Sequence, residues 1–171
     1  QAMLDHLIAY LRATLGGART TVHPLADEFA RLADYLEIMA VRMGPRLTFA
    51  LDLPEALQGT PVPPLLLQPL VENAIRHGLE PQVDGGHIQV RASTLPGPAG
   101  ALLALEVVDT GVGLAQPPAA PADGPASHFG LAQVRERLAT LYGPQGTLEL
   151  IAVTAGGTSA RVTFPLNFPT A

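Results

Sequence analysis

Thirteen residues near the middle of the chain, LLQPLVENAIRHG from Leu66 to Gly78, constrain the fold more than any stretch of similar length. At about 100° per residue, Gln68, Glu72, Asn73, Arg76 and His77 fall on one side of a helix, and Leu67, Leu70, Val71, Ala74 and Ile75 on the other. The apolar side must be buried, and its burial aims the polar side in a set direction. That polar front holds an acid, a neutral amide oxygen, a cation and an imidazole. Such a set suits a charged ligand that arrives with a metal ion. A solvated surface helix with a Glu72/Arg76 pair, worth about 0.2–0.5 kcal/mol, has the same spacing.

The flanking pattern says what the apolar side packs against. Residues 2–15 place Leu4, Leu7, Ile8, Leu11 and Leu15 on one helical face. A second helix is predicted from about Pro24 to Met43, where Leu25, Phe29, Leu32, Leu36, Met39 and Met43 step by three and four. Pro24 suits its first position and Gly44-Pro45 ends it, so the two helices form a hairpin. The period then changes: Leu47, Phe49, Leu51 and Leu53 alternate with Thr48, Ala50 and Asp52, a half-buried strand. Gly78 is expected to close the polar-faced helix. Strands follow at about 87–94 and 101–108, joined by LPGPAG. The proline-rich stretch 115–127, AQPPAAPADGPAS, is expected to be a mobile loop of the kind used as a lid or linker. A helix at about 130–142 and strands at about 147–154 and 158–164, turned by Gly156-Gly157, complete the chain. This order predicts an α+β two-layer sandwich, helices on one face of a mostly antiparallel sheet, with an N-terminal helical extension.

Absences narrow the chemistry. With 171 residues the chain can bury one good core, but it has no cysteine, so thiolate metal sites and cysteine nucleophiles are excluded. It also has no lysine, which rules out a Walker P-loop and the eukaryotic protein-kinase site. None of Ser93, Ser127 and Ser159 sits in a GxSxG elbow. A net charge of −5 with scattered arginines argues against nucleic acid as a partner. No apolar run reaches the roughly 18 residues of a membrane span. The chain opens at Gln1 without a methionine or a secretory pattern, and is expected to be part of something longer.

Two glycine motifs sharpen the reading of the polar helix. In VVDTGVGL, residues 107–114, Asp109 ends an apolar strand, and a buried carboxylate there must find donors. An adenine amine is such a donor, whereas guanine presents an oxygen in its place. Gly111 and Gly113 would let the backbone close on a ligand, although an ordinary Asp-initiated turn uses the same residues. In HFGLAQVRERLATLYG, residues 128–143, Gly130 is expected to open a helix and offer N–H groups to phosphates. Asn73 offers a carbonyl oxygen to a hard cation such as Mg²⁺. Glu72 can orient or deprotonate a nucleophile, and His77 lies one turn from Asn73.

Together these blocks resemble the ATP-binding domain of the GHKL superfamily, and within it the LytS-type sensor histidine kinases. LLQPLVENAIRHG resembles the N box, VVDTGVGL the G1 box, HFGLAQVRERLATLYG the G2 box and GGTSARVTFPL the closing strand, over roughly residues 22–171. The resemblance implies the Bergerat fold, ATP and Mg²⁺ as cofactors, and these roles. Asn73 would bind Mg²⁺ and Glu72 and His77 would act near the γ-phosphate. Asp109 would read adenine, and Gly111, Gly113, Gly130, Leu131 and Thr158 would line the nucleotide under a proline-rich lid. Residues 1–44 would be the tail of the dimerisation and phosphoacceptor region, and 45–171 the catalytic domain. The implied partners are an acceptor helix upstream of Gln1, a second copy of the full-length protein and a response regulator. The implied location is cytoplasmic, with any membrane anchor upstream. His128 stands where the family has glycine and Gln133 where it has asparagine, and no PHFLFN-like acceptor motif is present. A hydrolytic GHKL ATPase and a non-catalytic nucleotide-binding module are the alternative readings.

Overall fold

Apolar residues stepping by three and four do produce the first two helices, and the N-terminal edge of the second differs from expectation for a local reason. The computed structural model describes residues 2–17, 22–113 and 126–166, with side chains throughout except at 9, 10, 12–17 and 126–129. Helix α1 spans Ala2–Gly17 and α2 spans Leu25–Met43. Pro24 lies just outside α2, extended at φ −62° and ψ 145°. It is held there because His23–Pro24 (β1) pairs antiparallel with Pro61–Val62 (β3). Gly44, at φ +62°, ends α2 in the left-handed region that favours glycine. Helix α1 rests on α2, with His6 Nδ1 3.3 Å from Asp34 Oδ1, while Leu4, Leu7, Ile8 and Leu11 stay 37–57% exposed.

The main sheet has five strands in the order β2-β4-β5-β7-β6. These are β2 (Leu47–Asp52), β4 (Gly86–Gly97), β5 (Gly100–Asp109), β6 (Thr147–Ala152) and β7 (Thr158–Pro165). All neighbours are antiparallel except β2 and β4, which run parallel, Leu47 opposite Gly86. A parallel pair needs a crossover, and the polar-faced helix lies within it. Arg46 secures the return, its guanidinium donating to the carbonyls of Glu80, Gln82 and Val83 at 2.7–3.1 Å.

That helix is not uniform. Gln68–Asn73 is α-helical (α3), and Ala74–Leu79 continues as a π-helical segment with wider turns. The expected 100° phase therefore holds only as far as Asn73. Gly78 does not close the helix, which runs on to Leu79. Helix α4 spans Ala126–Tyr142, so Gly130 is its fifth residue and not its first. Of the loop expected at 115–127, residues up to 125 lie outside the described residues, and the last two belong to α4.

One face of the sheet is buried under the helices. Ile88, Val90, Leu103, Leu105, Val107, Val162 and Phe164 meet α2 through Phe29, Leu32 and Leu36, α3 through Leu70 and Val71, and α4 through Val134 and Leu138. Phe164 stacks on Tyr142 with ring centroids 4.8 Å apart, and truncating it to alanine would cost about 3–5 kcal/mol. Burial and this packing push the Tyr142 hydroxyl up to about 12. The outer face is polar. There Ser159 Oγ donates to Glu106 Oε1 at 2.8 Å, with Arg91 and Arg161 at 3.4 and 3.5 Å. Burial would raise Glu106, but the serine hydroxyl and the two guanidiniums outweigh it and hold its carboxyl below the usual 4.5.

Candidate functional site

Asp109 ends β5 on the core-facing side and is only 4% exposed. Its Oδ1 accepts a hydrogen bond from the Gly111 amide at 2.9 Å. Burial raises its pKa above the usual 3.8, although the backbone amides of Gly111 and Thr158 counteract part of that rise. The group is thus a costly buried acid with partial compensation, the condition under which a polar ligand gains most by pairing with it.

Glycines make this arrangement sterically possible. A Cβ on Gly78 would stand 2.7 Å from Asp109 Oδ1, and one on Gly111 would stand 2.2 Å from the Gly78 carbonyl oxygen. A Cβ on Gly157 would come within 1.9 Å of the Asp109 carbonyl oxygen. The Val112 amide donates to the Gly78 carbonyl at 3.1 Å, which fastens the G1-like turn to the π segment. Gly113 adopts φ +79° with Gly157 beside it, and Thr158 is the register partner of Asp109 across β5 and β7. The structure therefore brings Asp109, Gly111, Gly113 and Thr158 into one cluster. It adds Gly78 and Gly157, which the sequence reading had treated as a helix stop and a turn. Thr110 belongs as well, its hydroxyl accepting from the His87 amide at 2.9 Å.

The rest of the expected set lies on α3, the π segment and α4. Glu72 is exposed, and its Oε1 accepts from Gln68 Nε2 at 3.1 Å. Asn73, the last α-helical residue, and His77, in the π segment, are half-buried. A cavity of about 370 Å³ opens between α3 and α4, lined by Leu65, Gln68, Glu72, Gln133, Val134 and Arg137 among others. Gln133 thus faces the same cavity as Glu72, while the His128 side chain lies outside the described residues. Gly130 meets Pro69 at an ordinary 3.5 Å. The Leu131 side chain is buried in the core, which leaves its backbone as the part that can reach a ligand. Because α4 starts at Ala126, the unpaired amides of its first turn belong to residues 126–129, and the Gly130 amide falls inside the helix.

Comparison with known proteins agrees with this layout. Residues 64–168 match the family described as histidine kinase-, DNA gyrase B-, and HSP90-like ATPase, and residues 1–47 match a histidine kinase family. The chain is 25% identical over 171 residues to the sensor protein LytS of Enterococcus faecalis, covering 96% of this chain and 28% of that protein. It is 35% identical over 141 residues to the sensor histidine kinase BtsS of Escherichia coli, covering 82% of this chain and 24% of that one. The chain thus spans about a quarter of the length of these curated relatives. In fold it is similar to the Acinetobacter baumannii histidine kinase AdeS, with a TM-score of 0.61 at 18% identity over 96% of this chain and 79% of the other. With the Asp109 cluster facing the N-box-like helix, and the first family model covering more than half of its length, the chain belongs to the histidine kinase-, DNA gyrase B- and HSP90-like ATPase family, as an ATP-binding catalytic region of the two-component kind.

Proposed function

We infer that the longer protein transfers the γ-phosphoryl group of ATP to a histidine upstream of Gln1, and from there to a response regulator, as a homodimer. The observation that carries this reading is the buried Asp109 carboxylate inside its glycine turn, a well that only an N–H or O–H donor can satisfy. An adenine amine supplies that donor. The polar residues of α3 then serve the phosphates. Asn73 ligates Mg²⁺ through its amide oxygen. Among the described residues no group of three or more His, Asp or Glu could hold a metal, so phosphate oxygens and water would complete the shell, as Mg²⁺ favours. When bound, the ion neutralises charge on the phosphates.

In the transfer step an acceptor imidazole nitrogen forms a bond to the γ-phosphorus. The bond to the bridging oxygen breaks, and ADP leaves with that electron pair. Glu72 takes the imidazole proton, with His77 placed to support charge near the γ-phosphate. Gly111, Gly113 and Thr158 close on the nucleoside. The first turn of α4, just before Gly130 and Leu131, faces the phosphates with its unpaired amides. None of the described helices is long and apolar enough to cross a membrane. We place this region in the cytoplasm, with any anchor in upstream segments.

Calorimetric titration tests the reading. The chain should bind ATP and ADP and discriminate against GTP, and Asp109→Asn should weaken ATP by about 1–3 kcal/mol and relax that preference. Equal ATP and GTP affinities for the unaltered chain would overturn the assignment. Asn73→Asp should lower Mg²⁺-dependent ATP binding with little change in melting temperature, because the added charge faces the phosphates.

A further inference from the structure

The turn that starts α3 is held from another part of the chain. Glu28 of α2 is 2% exposed, yet its carboxylate accepts three backbone amides of this turn. Oε1 takes Leu66 at 2.8 Å and Leu67 at 3.0 Å, and Oε2 takes Leu65 at 3.2 Å. His23 completes the set, its Nε2 donating to Oε2 at 2.7 Å. From the other side, the Arg137 guanidinium of α4 donates to the Pro64 carbonyl. Between these two grips Leu65 adopts φ +59°, a left-handed conformation that a leucine keeps only when its surroundings over-determine it.

This turn is also a wall of the cavity that Glu72 lines, through Leu65, Leu66 and Gln68. A carboxylate meeting the first amides of a helix fixes both its start and its direction, by hydrogen bonds and by charge against the positive helix end. Glu72 and Asn73 stand within two turns of that start.

We propose that Glu28 is a positioning residue for phosphoryl transfer: buried in α2, it sets where α3 begins and hence where Glu72 and Asn73 stand. Its effect is confined to the phosphate end, because Asp109 sits on β5 with its own backbone anchors. A shift of α2 against the sheet would act on the same end. The role in transfer rests on the reaction proposed above, whereas the control of α3 rests on the geometry alone.

Binding of ADP without Mg²⁺ and of ATP with Mg²⁺, together with thermal melts, tests this on the whole chain. In Glu28→Gln, which keeps the shape but offers an amide nitrogen in place of one oxygen, ADP affinity should stay within about twofold of wild type. The extra affinity contributed by Mg²⁺ and the γ-phosphate should fall about tenfold, and transfer at saturating ATP to a separately supplied acceptor-histidine segment should fall at least about tenfold. If Glu28→Gln does not fold, His23→Gln, which leaves the three amide contacts, carries the test and should lose about two- to fivefold on the same readouts. Equal losses for ADP and Mg-ATP, or no loss in either, would overturn the proposal. If the wild-type chain transfers nothing to the acceptor segment, the reaction assigned above fails. Glu28 is then judged by the ratio of Mg-ATP to ADP affinity alone.

Discussion

Around Asp109 the closest contacts are made by backbone, whereas between α3 and α4 the cavity is lined largely by side chains. The first region leaves no room for even a methyl group at Gly78, Gly111 or Gly157. The second holds about 370 Å³ of space and an exposed carboxylate. A backbone well recognises one rigid shape, and a side-chain cavity can rearrange as a reaction proceeds. On this contrast the two regions should fail differently when altered, recognition at one and chemistry at the other.

Glu72→Gln tests the contrast with the largest expected effect. It should lower transfer to an acceptor-bearing segment by about 10²–10⁴-fold while leaving ATP affinity nearly unchanged. A parallel loss of binding would show that the cavity recognises the nucleotide as much as it drives chemistry. Next comes a pair of identical substitutions. Gly111→Ala should destabilise the fold by about 1–3 kcal/mol and abolish tight ATP binding, because its Cβ overlaps the Gly78 backbone. Gly130→Ala should raise stability by about 0.5–1 kcal/mol, since the position is helical and its Cβ meets only Pro69 at contact distance. Melting temperatures of the two variants decide this directly.

The smallest effect concerns two carboxylates of opposite sign. Glu106 is held below 4.5, so its contribution is complete above that pH and is lost as pH falls through its lowered folded value. Asp109 is raised above 3.8, so its contribution is complete below that pH and is lost as pH rises through its raised folded value. Glu106→Gln should therefore flatten the acid limb of the stability curve by no more than about 1 kcal/mol, and Asp109→Asn should flatten the opposing slope. Urea midpoints between pH 3 and 7 would reveal both.

Much of this was legible in the residues. The α+β sandwich, α2, the strands and the cluster of Asp109 with Gly111, Gly113 and Thr158 follow from periodicity and motif order, because local spacing decides them. What escaped depended on contacts distant in sequence. Gly78 reads as a helix stop until Asp109 is seen against it. Gly130 reads as a helix start until the preceding residues are seen to be helical. Glu28 looks like one more polar residue early in an amphipathic helix, since its amide partners lie 37 to 39 positions away. The phase error between Asn73 and Leu79 has another origin, because a π segment leaves no periodic mark in so few residues.

That π segment also sets how this chain tolerates changes in length. Each of its hydrogen-bonded turns holds one residue more than an α-helical turn. Deleting a single residue between Ala74 and Leu79 would let the stretch wind as plain α-helix, turning everything after the deletion by about 100°. Gly78 would then leave Asp109, and Arg46 would lose its carbonyl partners at the far end of the crossover. Substitutions here should be graded in effect, but a one-residue gap should not be. Relatives aligned with such a gap have given up the contact between the helix and the aspartate.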